Sequence, residues 1–194
     1  MLGVLGEWVL DRACRQMAEW RDAGHHLPRL AINLSARQFT EGRLAEQVGT
    51  IMARYAIDPS TIELELTESV LLQDVEETMQ TLAALKALGV EIAVDDFGTG
   101  YSSLNYLKDF PIDTLKIDRS FIQAMHAGNR DTRLAKAIVA LGRSLQLRVI
   151  AEGVETLEQL GLLVGFGCDE VQGFLLGHPV PAAKLLSDHL LPHS

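Results

Sequence analysis

Along this chain, short runs that alternate apolar and polar residues are separated by stretches whose apolar residues recur every three or four positions. Leu10, Cys14, Met17 and Trp20 share one face of a helix that Gly24 ends. "LAINL" at 30–34 reads as a strand. Leu44, Val48, Ile51 and Tyr55 mark the next helix. "IELEL" at 62–66 alternates strictly and predicts a strand with one apolar face. Val75, Met79, Leu82 and Leu85 predict a helix closed by Gly89, and a strand over 90–94 follows. Residues 114–117 predict another strand, and Leu134, Ile138 and Leu141 a helix. A strand over 147–151 comes next, then a helix opened by the capping box Thr156 to Gln159. A short strand over 170–172 and a terminal helix over 182–191 complete the series. Strict βα alternation predicts a parallel sheet. The count is about six βα units, where a closed (β/α) barrel has eight.

In parallel α/β folds the functional residues sit at the carboxyl ends of the strands. Those ends carry Asn33, then Glu65 with Glu68 beyond it, Asp95 and Asp96, Lys116, Glu152 with Glu155 beyond it, and Gln172. Ile62, Leu64 and Leu66 share one face of their strand, so Glu65 points from the other. By the same pleat Lys116 opposes Leu115 and Ile117. Carboxylates that converge repel one another unless cations lie between them. Hard oxygen donors suit Mg²⁺ or Mn²⁺, and two adjacent aspartates suit a pair of ions.

Each residue also has a plainer role open to it. Asp95 and Asp96, followed by Gly98, Gly100 and Ser102, could form a solvated turn. Asn33 could be a turn residue, Lys116 a buried ion-pair partner, and Glu68 and Glu155 acids at helix amino ends. Glu63 reads as a structural polar residue beneath Glu65. His25 and His26 read as solvated loop residues.

The formal net charge of −9 argues against nonspecific DNA binding, which needs a basic surface. It is compatible with a phosphate-bearing ligand held through metal ions. Cys14 and Cys168 have no metal-site spacing and read as buried apolar residues in a reducing compartment. The first residues lack a basic region before their apolar run, and no stretch is long enough to span a membrane. Composition therefore predicts one cytoplasmic domain.

Six ordered segments, "INLSARQF", "LELTES", "VDDFGTGYSSL", "LKIDRSFI", "AEGVET" and "VQGFLLGHPV", resemble the motifs of the EAL domain, a family that hydrolyses cyclic di-GMP. The resemblance covers essentially the whole chain, 1–194. It implies a TIM-like barrel with one antiparallel strand. It implies that Asn33, Glu65 and Asp95 ligate one metal ion, and that Asp95 and Asp96 hold a second. Lys116 would orient or deprotonate the attacking water, and Glu152 and Gln172 would position waters and nucleophile. Glu68 would brace the loop from Asp96 to Ser103, which in the family couples the site to dimer contacts.

Two departures stand out. The Glu-Ala-Leu segment itself, with two strands and a metal-binding glutamate, is not in this sequence, which matches the deficit of two βα units. His178 stands where the family has Arg or Lys before Pro179. The expectation is an incomplete EAL-type barrel that hydrolyses cyclic di-GMP to linear pGpG weakly or not at all. It would work as a homodimer or fused to a sensor or cyclase domain. The alternatives are an inactive EAL module that binds cyclic di-GMP or a protein partner, and an unrelated Mg²⁺-dependent barrel enzyme.

Overall fold

The computed structural model describes residues 2–40, 42–71, 74–99, 107–126 and 129–185. Among them, α1 (Leu2–Asp22), β1 (Leu30–Asn33), α2 (Ala36–Thr40), α3 (Leu44–Tyr55), β2 (Ile62–Thr67), α4 (Glu68–Leu71) and α5 (Val75–Leu88) form the first half. The second half is β3 (Glu91–Phe97), β4 (Thr114–Ile117), α6 (Arg119–Gln123), α7 (Arg130–Ser144), β5 (Arg148–Glu152), α8 (Leu157–Phe166), β6 (Glu170–Gln172) and α9 (Ala182–Leu185). Residues 186–191 of the predicted terminal helix, and 100–103 of the loop after Asp96, lie outside the described residues.

The six strands pair in sequence order, β1 to β6, and every pairing is parallel. The sheet curls into a half-barrel. Its two edges approach each other closely enough that Arg29, just before β1, bonds Glu170 on β6 at 2.5 Å. The predicted incomplete α/β barrel is what the chain forms, and the antiparallel strand implied by the resemblance is not among the described strands.

The convex face of the sheet is apolar. Ile62, Leu64, Leu66, Ile92, Val94, Leu115, Ile117 and Val149 are completely buried against helix residues such as Leu82, Leu85, Val139 and Leu163. Each such side chain contributes about 1.5–3 kcal/mol relative to exposure. The concave face is polar, because the alternate residues of the same strands point there.

Side-chain caps fix the starts of two helices. Asp74 caps α5 by accepting from the Glu77 N–H at 3.1 Å. The Thr156–Gln159 capping box opens α8. On α7 the buried face differs from the one its larger side chains suggest. Ala135, Val139 and Gly142 are buried, whereas Leu134 is 37% exposed. Close packing is the reason, since a Cβ on Gly142 would lie 2.3 Å from the Val149 side chain.

Strand β3 runs three residues beyond its predicted end, through Asp95 and Asp96 to Phe97. Val94 pairs with Leu115 and Phe97 with Ile117, so three steps on β3 oppose two on β4. The extra residue makes a bulge, and Asp96 takes a φ of +54° there. The bulge breaks strict alternation between the two adjacent aspartates.

Candidate active site

At the carboxyl end of the half-barrel, four predicted residues meet. The Lys116 ammonium, from β4, is 2.5 Å from Glu65 on β2, 2.6 Å from Glu152 on β5 and 3.4 Å from Asp95 on β3. Lys116 is 3% exposed and Glu65 6% exposed. The pleat explains the convergence, since Leu64, Leu66, Leu115 and Ile117 take the helix-covered face and turn Glu65 and Lys116 inward.

One ammonium faces three carboxylates, so the cluster keeps an excess of negative charge. Burial alone would lower the Lys116 pKa, but the hydrogen bonds and charges of Glu152 and Glu65 outweigh it and raise it above the ordinary lysine value. Burial raises Glu65 and Glu152, Lys116 pulls them back, and neighbouring acids push them up again. Lys116 therefore stays protonated while the carboxylates compete for its single charge.

Asn33 is exposed at the end of β1, in register with Glu65. Gln172 is exposed at the end of β6, in register with Glu152. Both flank the cluster. Asp96 instead interacts with Asp118, two residues beyond Lys116. Burial raises the Asp96 pKa first, and the charge of Asp95 and the contact with Asp118 add to it. Asp118, despite some burial, is held below its ordinary value by Ser120 and Asp96. Asp118 lies within "LKIDRSFI" without having been singled out. Its signal was its period-two spacing from Lys116.

Glu68, the first residue of α4, is 5% exposed, and its carboxylate accepts the Gly98 N–H at 3.0 Å. It thus touches the start of the loop that follows Asp96. Glu155 is not in the cluster and accepts from Gln123 at 3.1 Å. His25 and His26 lie in the loop before β1, at the opposite end of the strands. Cys14 is buried as expected and Cys168 only half-buried. Burial pushes both thiols up to about 11.

The floor of the half-barrel carries a second network, in which Glu63 is the buried acid. Arg29 contacts Glu63, Glu91 and Glu170 at 3.5, 3.8 and 2.5 Å. Arg148 meets the same three at 3.9, 2.8 and 3.7 Å. Thr114 donates to Glu63 at 2.7 Å. Glu91, Thr114, Arg148 and Glu170 open their strands, Glu63 is second on β2, and Arg29 just precedes β1. Arg29, Glu63, Glu91 and Glu170 of the floor and Glu65 and Lys116 of the cluster line one cavity of about 650 Å³, walled also by Gln172 and Leu176.

The upper cluster suits divalent cations by donor type and charge, since its groups are hard oxygens that outnumber the one ammonium. Among the described residues, no three acidic, histidine or cysteine side chains already form a metal cage. The carboxylates are arranged around Lys116 instead. No helix among the described residues is long and apolar enough to cross a membrane.

Comparison with known proteins agrees with this geometry. The bifunctional diguanylate cyclase/cyclic di-GMP phosphodiesterase MucR of Pseudomonas aeruginosa is 50% identical over 183 residues, 94% of this chain and 27% of MucR. The cyclic di-GMP phosphodiesterase NbdA of the same organism is 43% identical over 185 residues, 95% of this chain and 24% of NbdA. This chain thus spans about a quarter of those relatives. The solved MucR phosphodiesterase in complex with c-di-GMP matches with a TM-score of 0.90, over 94% of this chain and 74% of that one. The EAL domain of Mycobacterium smegmatis DcpA, 41% identical, matches at 0.89 over 97% of this chain and 86% of its own. The family model of the EAL domain matches residues 1–179, and this chain belongs to the EAL domain family.

Proposed function

We propose that the cluster around Lys116 is a two-metal site that hydrolyses cyclic di-GMP to linear pGpG with Mg²⁺ or Mn²⁺. One observation carries this reading: inward carboxylates from β2, β3 and β5 converge within 3.4 Å of a single ammonium, leaving negative charge for further cations. Asn33, Glu65 and Asp95 would hold one ion, and Asp95 with Asp96 the other. When bound, such ions neutralise a phosphodiester and acidify water.

The chain's own groups would do the remainder. Lys116 is held protonated, which favours orienting the attacking water and stabilising developing charge over removing a proton. Glu152 and Gln172, adjacent in register, would fix that water from the β5 and β6 side. Glu68 would hold the loop after Asp96 through the Gly98 N–H. The domain would act in the cytoplasm, as a homodimer or joined to sensor or cyclase domains.

A second reading, a cyclic di-GMP binding module without turnover, is favoured by the way Lys116 already occupies the centre of the acids. Purified protein supplied with cyclic di-GMP and Mn²⁺ separates the two. The hydrolase reading expects pGpG from the wild type, and Asp95→Asn should abolish it and weaken Mn²⁺ binding in calorimetry. Tight nucleotide binding with no pGpG would leave the binding module. Unchanged Mn²⁺ affinity in Asp95→Asn would remove the site as drawn.

A further inference from the structure

Helix α8 is apolar almost all round, with Glu158 and Gln159 as its only polar residues. One side is used by the fold, where Gln159 and Leu163 are buried. The other side faces solvent. Leu157 is 76% exposed and Val164 67% exposed. Gly161 and Gly165, four and eight positions after Leu157, share that face. A Cβ on either glycine would meet no neighbouring group of the described residues within 4 Å. Glycine inside a helix is destabilising relative to alanine, and no packing among the described residues requires it here. A helix that is apolar on both sides is the pattern of one that is covered on both sides.

The exposed face is self-complementary in shape. Two copies of α8 crossing antiparallel about a twofold axis at Gly161 bring Leu157, four residues before the axis, onto the partner's Gly165, four residues after it. The large side chain of each copy fills the gap left by the glycine of the other. Gly161 at the crossing lets the two backbones approach closely. Val164, three residues after the axis, meets the stem of the partner's Glu158.

Charge obeys the same twofold. The amino end of α8 carries Glu158 in its first turn, with Glu155 just before it. The carboxyl end is flanked by two cations from α7. The Lys136 ammonium stands 5.8 Å from the centre of the Phe166 ring, and the Arg143 guanidinium lies where a Cβ on Gly167 would meet it. Asp169, just beyond, is engaged with its own sheet, its carboxylate accepting the Val149 N–H at 2.8 Å. Antiparallel copies therefore set the acids of one beside the cations of the other, with their helix dipoles opposed.

We infer that the outward face of α8 docks a second copy of this chain as an isologous, antiparallel helix pair. One helix from each copy buries less than the roughly 1,200–2,000 Å² of a standard stable interface. The association is therefore an equilibrium between monomer and dimer that shifts with concentration. The inference gives a surface to the homodimer of the proposed function; it rests on that homodimer and not on turnover.

The test is sedimentation equilibrium of the purified chain over a wide range of concentration. Val164→Glu places two acids in the contact and should raise the dimer Kd about tenfold or more. Gly161→Ala should have two effects of opposite sign. The dilute monomer should melt higher, because alanine is the better helix former, while the methyl group at the crossing raises the dimer Kd. A face without a partner would show the higher melt alone. Glu158→Lys and Lys136→Glu should each weaken the dimer. Combined, they should recover part of the loss, because the exchanged charges face each other again across the twofold. These side chains are exposed, so dilute melts of the charge variants should stay near the wild type. A wild type that stays monomeric at every concentration, or a dimer whose Kd is unmoved by Val164→Glu, would overturn the inference. Production of pGpG is read separately: a dimer that makes none would count against the phosphodiesterase reading and leave this face standing.

Discussion

Lys116 holds Glu65 at 2.5 Å and Glu152 at 2.6 Å, so one ammonium from β4 bridges β2 and β5 across the concave face. Removing it strands the buried Glu65 and the half-buried Glu152. Breaking a buried pair by deleting one partner costs about 3–5 kcal/mol. Lys116→Met should therefore lower stability on that scale in metal-free buffer, and Mn²⁺ should recover part of the loss. Turnover of cyclic di-GMP should drop about 10²–10⁴-fold, as for loss of a positioned acid–base group. Denaturant unfolding with and without Mn²⁺ checks the first point. An unchanged midpoint would mean that Lys116 does not neutralise the cluster.

The bond from the Gly98 N–H to Glu68 predicts an effect through the loop. Glu68→Gln should speed amide hydrogen exchange at Phe97–Thr99 and reduce turnover. Its Mn²⁺ affinity should fall less than that of Glu65→Gln. Equal losses of affinity in the two variants would make Glu68 a ligand rather than a brace.

The raised carboxyls give stability a defined pH dependence. Glu65 and Glu152 bind protons more tightly folded than unfolded. Their contribution is fully present below the ordinary glutamate range and is lost as pH rises through the raised folded values. Lys116 is raised above the lysine range and does not titrate in that window. Metal-free wild type should therefore lose stability as pH rises above that range, and Glu65→Gln should flatten the trend. Divalent cations compete with protons, so Mn²⁺ stabilisation should grow over the same interval. Melting curves across pH check both signs.

Glu63 on the floor is 1% exposed and is shared by Arg29 and Arg148. Arg29→Met and Arg148→Met should each cost about 1–3 kcal/mol. Together they should cost more than the sum, because Glu63 then has neither cation, and adding Glu63→Gln should recover part. Additivity within about 0.5 kcal/mol in urea unfolding would show that the two arginines act independently.

The sequence by itself determined the order of elements and the identity of the inward acids. "IELEL" and "TLKI" carry period-two patterns, and a buried strand must send its apolar residues to the helices, so Glu65 and Lys116 had one direction left. The capping box was legible for the same local reasons, whereas β3 runs three residues past its predicted end. Only the tertiary structure decided which of the inward groups pair. The bulge that separates Asp95 from Asp96 is a mismatch of register between β3 and β4, invisible in either strand alone. Asp96, the residue on that mismatch, is the one that interacts with Asp118. Arg29 and Glu170 are 141 positions apart and meet because the sheet curls, and curl is the accumulated twist of all six strands. The small residues on the buried face of α7 follow from how near Val149 comes to Gly142, a distance set by packing rather than by helical period.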